Sequence, residues 1–216
     1  MTDFLSESHR SAIAAAFAIL LAGLCAGCGS APPPNYYTLS HLAPVTSPPQ
    51  KPQMPSVAIA VGPVTMPDYL DRRQIVTRES PFSLSLAAND LWAAPLSDQV
   101  PRVLVADVAA RRPNDRVVGF PQIGSESFDY RVAVDIGQFD VDADGTATLT
   151  ARWQIYDHAA ARAVMVAEGT LREERTDAGY AGSAAALSQT LADLSQRIAE
   201  DLASVRSLAP TPIAGL

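Results

Sequence analysis

Past residue 28 the chain contains no cysteine, and over its whole length it has one lysine, Lys51. The first absence excludes disulfide stapling, thiol redox chemistry and cysteine metal ligation in the body of the protein. A chain of 216 residues that is 48% hydrophobic can build an apolar core without such staples. The second absence accompanies a net charge of −7 and only 18% charged residues. That combination argues against nucleic acid, which demands clustered basic charge. It argues equally against electrostatic docking on anionic lipid headgroups. Histidine is scarce as well, at His9, His41 and His158. The chain has no His-Glu-x-x-His, no Gly-x-Ser-x-Gly and no glycine loop able to cradle phosphate. No apolar run reaches the roughly 20 residues of a membrane span.

What the chain does have begins at its amino end. Ser11 to Leu24 (SAIAAAFAILLAGL) is an apolar run of signal-peptide length, and Ala26-Gly27-Cys28 follows it. An apolar core followed by Ala-Gly-Cys resembles the lipobox of bacterial lipoproteins, in which the cysteine thiol receives a diacylglyceryl group and the peptide is cut before it. Cys25 follows bulky Leu24, whereas Cys28 follows small Gly27 and Ala26, so Cys28 is the expected lipidation site. The Cys-x-x-Cys spacing then carries neither redox chemistry nor metal, because Cys25 leaves with the signal and Cys28 becomes a thioether. Cleavage also removes Asp3, Glu7 and Arg10, leaving 15 basic and 21 acidic residues and a net charge of −6. Membrane contact is therefore expected from covalent lipid rather than from charge.

The rest of the chain divides into a signal peptide over 1–27, a lipidated cysteine and proline-rich tether over 28–35, one domain over 36–206, and a loose tail over 207–216. Ten of the 17 prolines fall between Pro32 and Pro67, marking the tether and a second proline-rich loop over 43–56. At about 3.1 Å per residue in polyproline II, Cys28 to Asn35 spans roughly 20 Å, which keeps the domain near its membrane. Tyr36-Tyr37-Thr38-Leu39 favours β-structure, as an interior strand rather than an edge strand. Val57 to Val61 reads as a buried strand ended by Gly62-Pro63. Gln74–Arg78 and Phe82–Leu86 read as a hairpin around Ser80-Pro81. Leu96 to Ala110 has helical spacing, with Pro101 either starting the regular helix or kinking it. A strand at Val117 to Phe120 precedes three more, around Tyr130–Ile136, Ala147–Ile155 and Arg162–Glu173, in which apolar and polar residues alternate. Tyr180 to Val205 carries one apolar stripe from Leu187 to Val205. The expected fold is α+β, a mixed, mostly antiparallel sheet with two helices packed on one face.

Asp140, Asp142, Asp144 and Gly145 (DVDADG) match half of an EF-hand loop, but the closing carboxylate position is Ala151 and the flanks are strands, so an acidic hairpin turn is expected and no metal. Neither His41 nor His158 neighbours a plausible nucleophile in sequence, so no catalytic residue is assigned and no cofactor is expected. Asp68, Tyr69, Arg72, Arg73, Arg78 and Trp92 gather arginine and aromatic residues in one short stretch. Such residues are enriched in binding hot spots, which makes this stretch the candidate docking surface. The plainer alternative is a solvated loop with Trp92 packed on the core.

Several phrases in order carry a wider resemblance: AGC at 26–28, PNYYTLS at 34–40, VAIAVGPVTMPDYLDRRQIVTR at 57–78, LWAAPLSDQV at 91–100, DYRVAVDIGQFD at 129–140 and TARWQIYD at 150–157. Together they are similar to the ABC-type transport auxiliary lipoprotein family. Arg73 departs from that family, where proline is common after Asp-Arg. The resemblance implies a non-enzymatic envelope lipoprotein acting beside an MCE-domain protein and an inner-membrane ABC transporter or permease that move lipids across the periplasm. It further implies a place at the outer membrane, facing the far end of the MCE assembly, and the ability to form a homo-oligomeric ring. Gly29 after the lipidated cysteine agrees with outer-membrane sorting. Two rival readings remain at this point: a lipid or lipoprotein carrier with its own apolar pocket, and a periplasmic hydrolase.

Overall fold

The structure, a computed structural model, describes residues 32–42, 55–121 and 127–208. Cys28, the signal peptide, most of the 43–56 loop and residues 209–216 lie outside the described residues. Pro34–Leu216 forms one unit and Met1–Pro33 another. In chain order the elements are β1 (Asn35–Tyr37), β2 (Ala58–Thr65), a 3₁₀ turn (Asp68–Leu70), β3 (Gln74–Ser80), β4 (Ser83–Trp92), α1 (Leu96–Arg111), β5 (Arg116–Gly119), β6 (Tyr130–Asp142), β7 (Thr146–Asp157), β8 (Arg162–Glu174) and α2 (Tyr180–Leu208).

The spine of the sheet is β6. Along one edge it pairs antiparallel with β7 from Tyr130 to Val141, and β7 pairs antiparallel with β8. The opposite edge is shared: β2 pairs parallel with Tyr130–Asp135, and β3 pairs parallel with Val141–Asp142. The sheet therefore forks, with β5 outside β2 on one branch and β4 then β1 outside β3 on the other. The chain crosses the cleft of the fork between β2 and β3, through Met66–Arg73. This mixed sheet agrees with the expected α+β class; most paired residues belong to the antiparallel β6–β7–β8 meander.

Alternation explains which face is covered. Val132, Val134 and Ile136 of β6 and Leu149, Ala151, Trp153 and Ile155 of β7 are buried. A register shift between Ile136 and Gln138 then moves the buried phase by one residue, to Phe139 and Val141. The stripe Leu187, Leu191, Leu194, Ile198, Leu202 and Val205 of α2 is buried, and Trp153 Nε1 donates to Asp201 Oδ2 at 2.7 Å. Sequence periodicity understated how much of α2 is enclosed, for Ser183, Ser188, Thr190 and Ser195 are buried too. Their hydroxyls donate to the carbonyls of Gly179, Ala184, Leu187 and Leu191, which satisfies them locally and permits close packing.

Three local expectations need correction. Gly62-Pro63 does not end the strand, since β2 continues to Thr65 through a register shift between Val61 and Val64. Gly62 has φ +132°, and a Cβ there would collide with the Phe120 carbonyl oxygen, so the position demands glycine. Pro101 neither starts nor interrupts α1, which runs from Leu96. Finally, β1 is an edge strand paired only with β4, and the chain beyond it is laced to the helices instead. Gln99 Oε1 accepts from Leu39 N at 2.8 Å, Ser188 Oγ from Ser40 N at 3.1 Å, and Asp107 Oδ1 from Leu42 N at 3.0 Å.

Candidate functional site

The stretch from Pro67 to Trp92 wraps the fork of the sheet, and its side chains separate into an inner group and an outer one. The inner group closes on Asp140, which is 1% exposed. The β6 register shift turns Phe139 and Val141 into the core and leaves Asp140 on the other face, where the crossing segment and β3 cover it. Arg78 reaches it from β3 as a fork: Nη2 donates to Oδ2 at 2.6 Å and Nε to Oδ1 at 3.1 Å. Tyr69 from the 3₁₀ turn donates its hydroxyl to Oδ2 at 2.8 Å, and Gln138 Nε2 donates to Oδ1 at 2.8 Å. The Arg78 guanidinium also lies 5.8 Å from the Tyr69 ring centroid and donates to the Tyr69 hydroxyl at 3.3 Å. One carboxylate thus ties the turn, the hairpin and the spine strand together.

Electrostatics follow the geometry. Burial, then the hydrogen bond to Asp140, pushes the Tyr69 hydroxyl up to about 12, against an opposing pull from Arg78. The same carboxylate raises Arg78. Because Tyr69 holds its proton more tightly folded than unfolded, the stability it contributes is fully present below about pH 10 and is lost as pH climbs from about 10 to about 12. In an ultraviolet titration of the folded protein, one tyrosine is expected to ionise near pH 12. A Tyr69→Phe variant should lose that late step, and a late step unchanged in the variant would assign it elsewhere.

The outer group faces solvent. Asp68 and Arg73 are exposed, and Arg73 lies over the Tyr36 ring of β1 at 5.6 Å. Arg72 is half-buried and donates from Nε to the Tyr69 carbonyl at 2.7 Å, closing the turn from outside. Trp92 belongs to neither group: it is 2% exposed and sits in the hydrophobic core, with its amide donating to the Arg73 carbonyl at 2.6 Å. Its indole supports the surface from beneath rather than forming part of it. Sequence reading therefore placed Asp68, Tyr69, Arg72, Arg73 and Arg78 in one neighbourhood, but it missed Asp140 and Gln138, which organise them. In the sequence Asp140 stands only as part of the acidic DVDADG run. In the structure the turn itself is Asp142–Gly145, with Gly145 at φ +94° and Asp142 Oδ1 accepting from Thr146 N at 2.9 Å.

The histidines lie elsewhere. His41 is exposed beyond β1, and His158 is exposed in the β7–β8 turn with its ring 5.3 Å from Phe128. Among the described residues no His, Cys, Asp and Glu side chains cluster so as to hold a metal ion. An apolar groove of about 280 Å³ lies between α1 and the β2–β5 edge, lined by Val61, Pro101, Val105 and Phe120. A second groove, of about 420 Å³, crosses β6–β8 past Asp135, Arg152 and Glu168. The apolar groove is below the roughly 300–1,000 Å³ of sites for drug-sized ligands. No helix of the described residues is long and apolar enough to cross a membrane.

Residues 37–199 match the family model described as the ABC-type transport auxiliary lipoprotein component. The intermembrane transport lipoprotein PqiC of Escherichia coli is 33% identical over 93 residues, 43% of this chain and 48% of that relative, and PqiC of Shigella flexneri gives the same figures. The chain thus spans about half the length of the curated relatives it matches. Among solved structures, a protein from Xanthomonas campestris superposes with a TM-score of 0.65 at 20% identity, over 80% of this chain and 97% of the other. An uncharacterized protein gives a TM-score of 0.64 at 24% identity, over 79% and 99%. These two structures share the fold.

Proposed function

The chain belongs to the ABC-type transport auxiliary lipoprotein family, and from that premise we propose that it is a non-enzymatic docking subunit of an MCE/ABC-type intermembrane lipid transport system. In this reading lipid on Cys28 anchors the domain at the periplasmic face of the outer membrane. The domain binds the end of an MCE-domain assembly, whose other end meets an inner-membrane ABC transporter or permease. The name of the Escherichia coli relative, an intermembrane transport lipoprotein, supports the pathway. Several copies in a closed ring would present the docking face once per subunit.

The observation that carries the reading is the immobilised turn. Asp140 accepts four hydrogen bonds that fix Tyr69, Arg78 and the chain around them, while Asp68, Arg73 and Tyr36 stand outside. Ordering these groups before a partner arrives removes an entropic cost from association. Exposed arginine stacked on an aromatic ring is also the composition of an interface anchor.

Co-purification with an MCE-domain protein of the same cell tests this. Arg73→Glu is expected to weaken capture roughly tenfold or more, the scale of a hot-spot residue. Cys28→Ala should lose capture from membranes yet keep it in detergent, where anchoring no longer matters. Undiminished capture by Arg73→Glu would move the docking face elsewhere, and no capture of the wild-type chain in detergent would overturn docking itself.

A further inference from the structure

The β3–β4 hairpin ends in an apolar tip that the fold leaves bare. Phe82 is 100% exposed, Leu86 45% and Leu84 37%. Leu84 and Leu86, spaced by two on β4, share one face of the strand, and Phe82 stands in the turn just before it. The stretch Ser80–Leu86 (SPFSLSL) carries no charge. The tip also overhangs the sheet. Arg78 lies opposite Asp142, the last residue of β6, so the chain from Glu79 to Ser83 runs past the end of the spine strand. At about 3.3 Å per residue the Pro81-Phe82 turn stands roughly 10 Å beyond it.

The register of β1 shows where that tip points relative to the tether. β1 pairs parallel with β4, with Asn35 opposite Asp90 and Tyr37 opposite Trp92. The chain preceding Asn35 therefore leaves β1 toward the Ser83 end of β4, the hairpin tip. Seven residues separate Cys28 from Asn35, and seven separate Ser83 from Asp90. An extended tether of that length reaches at most about 25 Å, and the strand alongside, which is irregular between Leu86 and Leu91, covers less than the roughly 23 Å of a regular one. A lipid on Cys28 can thus be carried to the level of the tip.

We propose that the tip of the β3–β4 hairpin, Phe82 with Leu84 and Leu86, inserts into the headgroup–acyl boundary of the leaflet that holds the Cys28 lipid. This rests on lipidation of Cys28. A short tether beginning at that level leaves the tip as the part of the domain that meets the bilayer first. Phe and Leu without neighbouring charge suit the interface. The acidic β6–β7 turn, with Asp142 and Asp144, lies behind the tip and limits penetration to the hairpin end. Arg73, seven residues from Ser80 along β3, is then held roughly 25 Å above the membrane and free to face a partner.

Spin labelling of the full-length chain, purified with its native modification and reconstituted in phosphatidylethanolamine–phosphatidylglycerol vesicles, tests this. The body of the chain has no cysteine, so Phe82→Cys, Leu84→Cys and, as a control in the β7–β8 turn, Ala159→Cys each give one site. Uptake of no label by the wild type reads the modification of Cys28 separately. The labels at 82 and 84 should show a several-fold higher ratio of oxygen to aqueous nickel-chelate accessibility than the label at 159. Equal ratios at 82 and 159, in a wild type that takes no label, would overturn insertion while leaving the anchor intact. Labels at 82 that broaden one another mean that a second copy covers the tip, and labels shielded only after a partner protein is added mean that the partner does; either result also overturns the proposal.

Discussion

Replacing Arg78 with alanine is expected to destabilise the domain by about 3–5 kcal/mol, the scale of removing one partner from a buried ion pair. The asymmetry between the partners decides this. The Asp140 side chain is 1% exposed and that of Arg78 is 25% exposed, so the arginine can recover hydration on losing its partner and the carboxylate cannot. In Arg78→Ala the Tyr69 and Gln138 donors remain, but no positive charge faces the buried anion. Asp140→Ala should cost less, because Arg78 turns outward and only the Tyr69 hydroxyl and Gln138 amide lose an acceptor. In urea unfolding the Arg78→Ala midpoint should fall with an unchanged slope, and the melting temperature should drop by roughly 10 °C. The paired replacement Arg78→Met with Asp140→Leu should recover much of the loss, since an apolar pair leaves no stranded charge. If Arg78→Ala and Asp140→Ala cost the same small amount, the pair behaves as a surface contact and the turn is held by something else.

How much of this was readable beforehand depends on the range over which each feature is determined. The β6–β7–β8 meander and both helices follow from local periodicity, because burial of one face imposes spacing of two or near 3.6 on neighbouring residues. Val132, Val134 and Ile136 show the first, and Leu187, Leu191, Leu194 and Ile198 the second. Periodicity fails where two elements interlock. Asp140 looks like one of three turn aspartates until the register shift after Ile136 turns it toward Arg78, 62 residues earlier in the chain. Trp92 closes the LW phrase of an exposed-looking segment, yet β4 carries it into the core, since the strand continues well past the Leu86 where alternation stops. Gly62-Pro63 carries a turn signature, but parallel pairing with β6 on both sides of a register shift holds the strand together. The β1 segment reads as an interior strand yet lies at the edge, because three residues cannot say whether they have one neighbour or two.

Cys28→Ala is expected to move the protein almost completely from the membrane pellet to the soluble periplasmic fraction, with its unfolding midpoint unchanged. Each buried methylene contributes about 0.8 kcal/mol, and two or more acyl chains anchor stably where one alone is marginal. Nothing else among the described residues approaches that. From residue 28 onward the sequence carries a net charge of −6 and the single lysine Lys51, so anionic lipid repels it rather than attracts it. Phe82, Leu84 and Leu86 at the hairpin tip gain at most about 1.5–3 kcal/mol each if fully buried, and interfacial insertion buries them only in part. Set against an association cost of about 4 kcal/mol or more, they orient an anchored domain and cannot retain a free one. Cys25→Ala should leave the distribution as it is, because on the proposed lipidation of Cys28 that residue precedes the cut. The outcome against this account is Cys28→Ala protein that stays in the pellet after a high-salt wash. Salt screens charge and leaves apolar contact untouched, so retention would point to an anchor other than the thioether lipid.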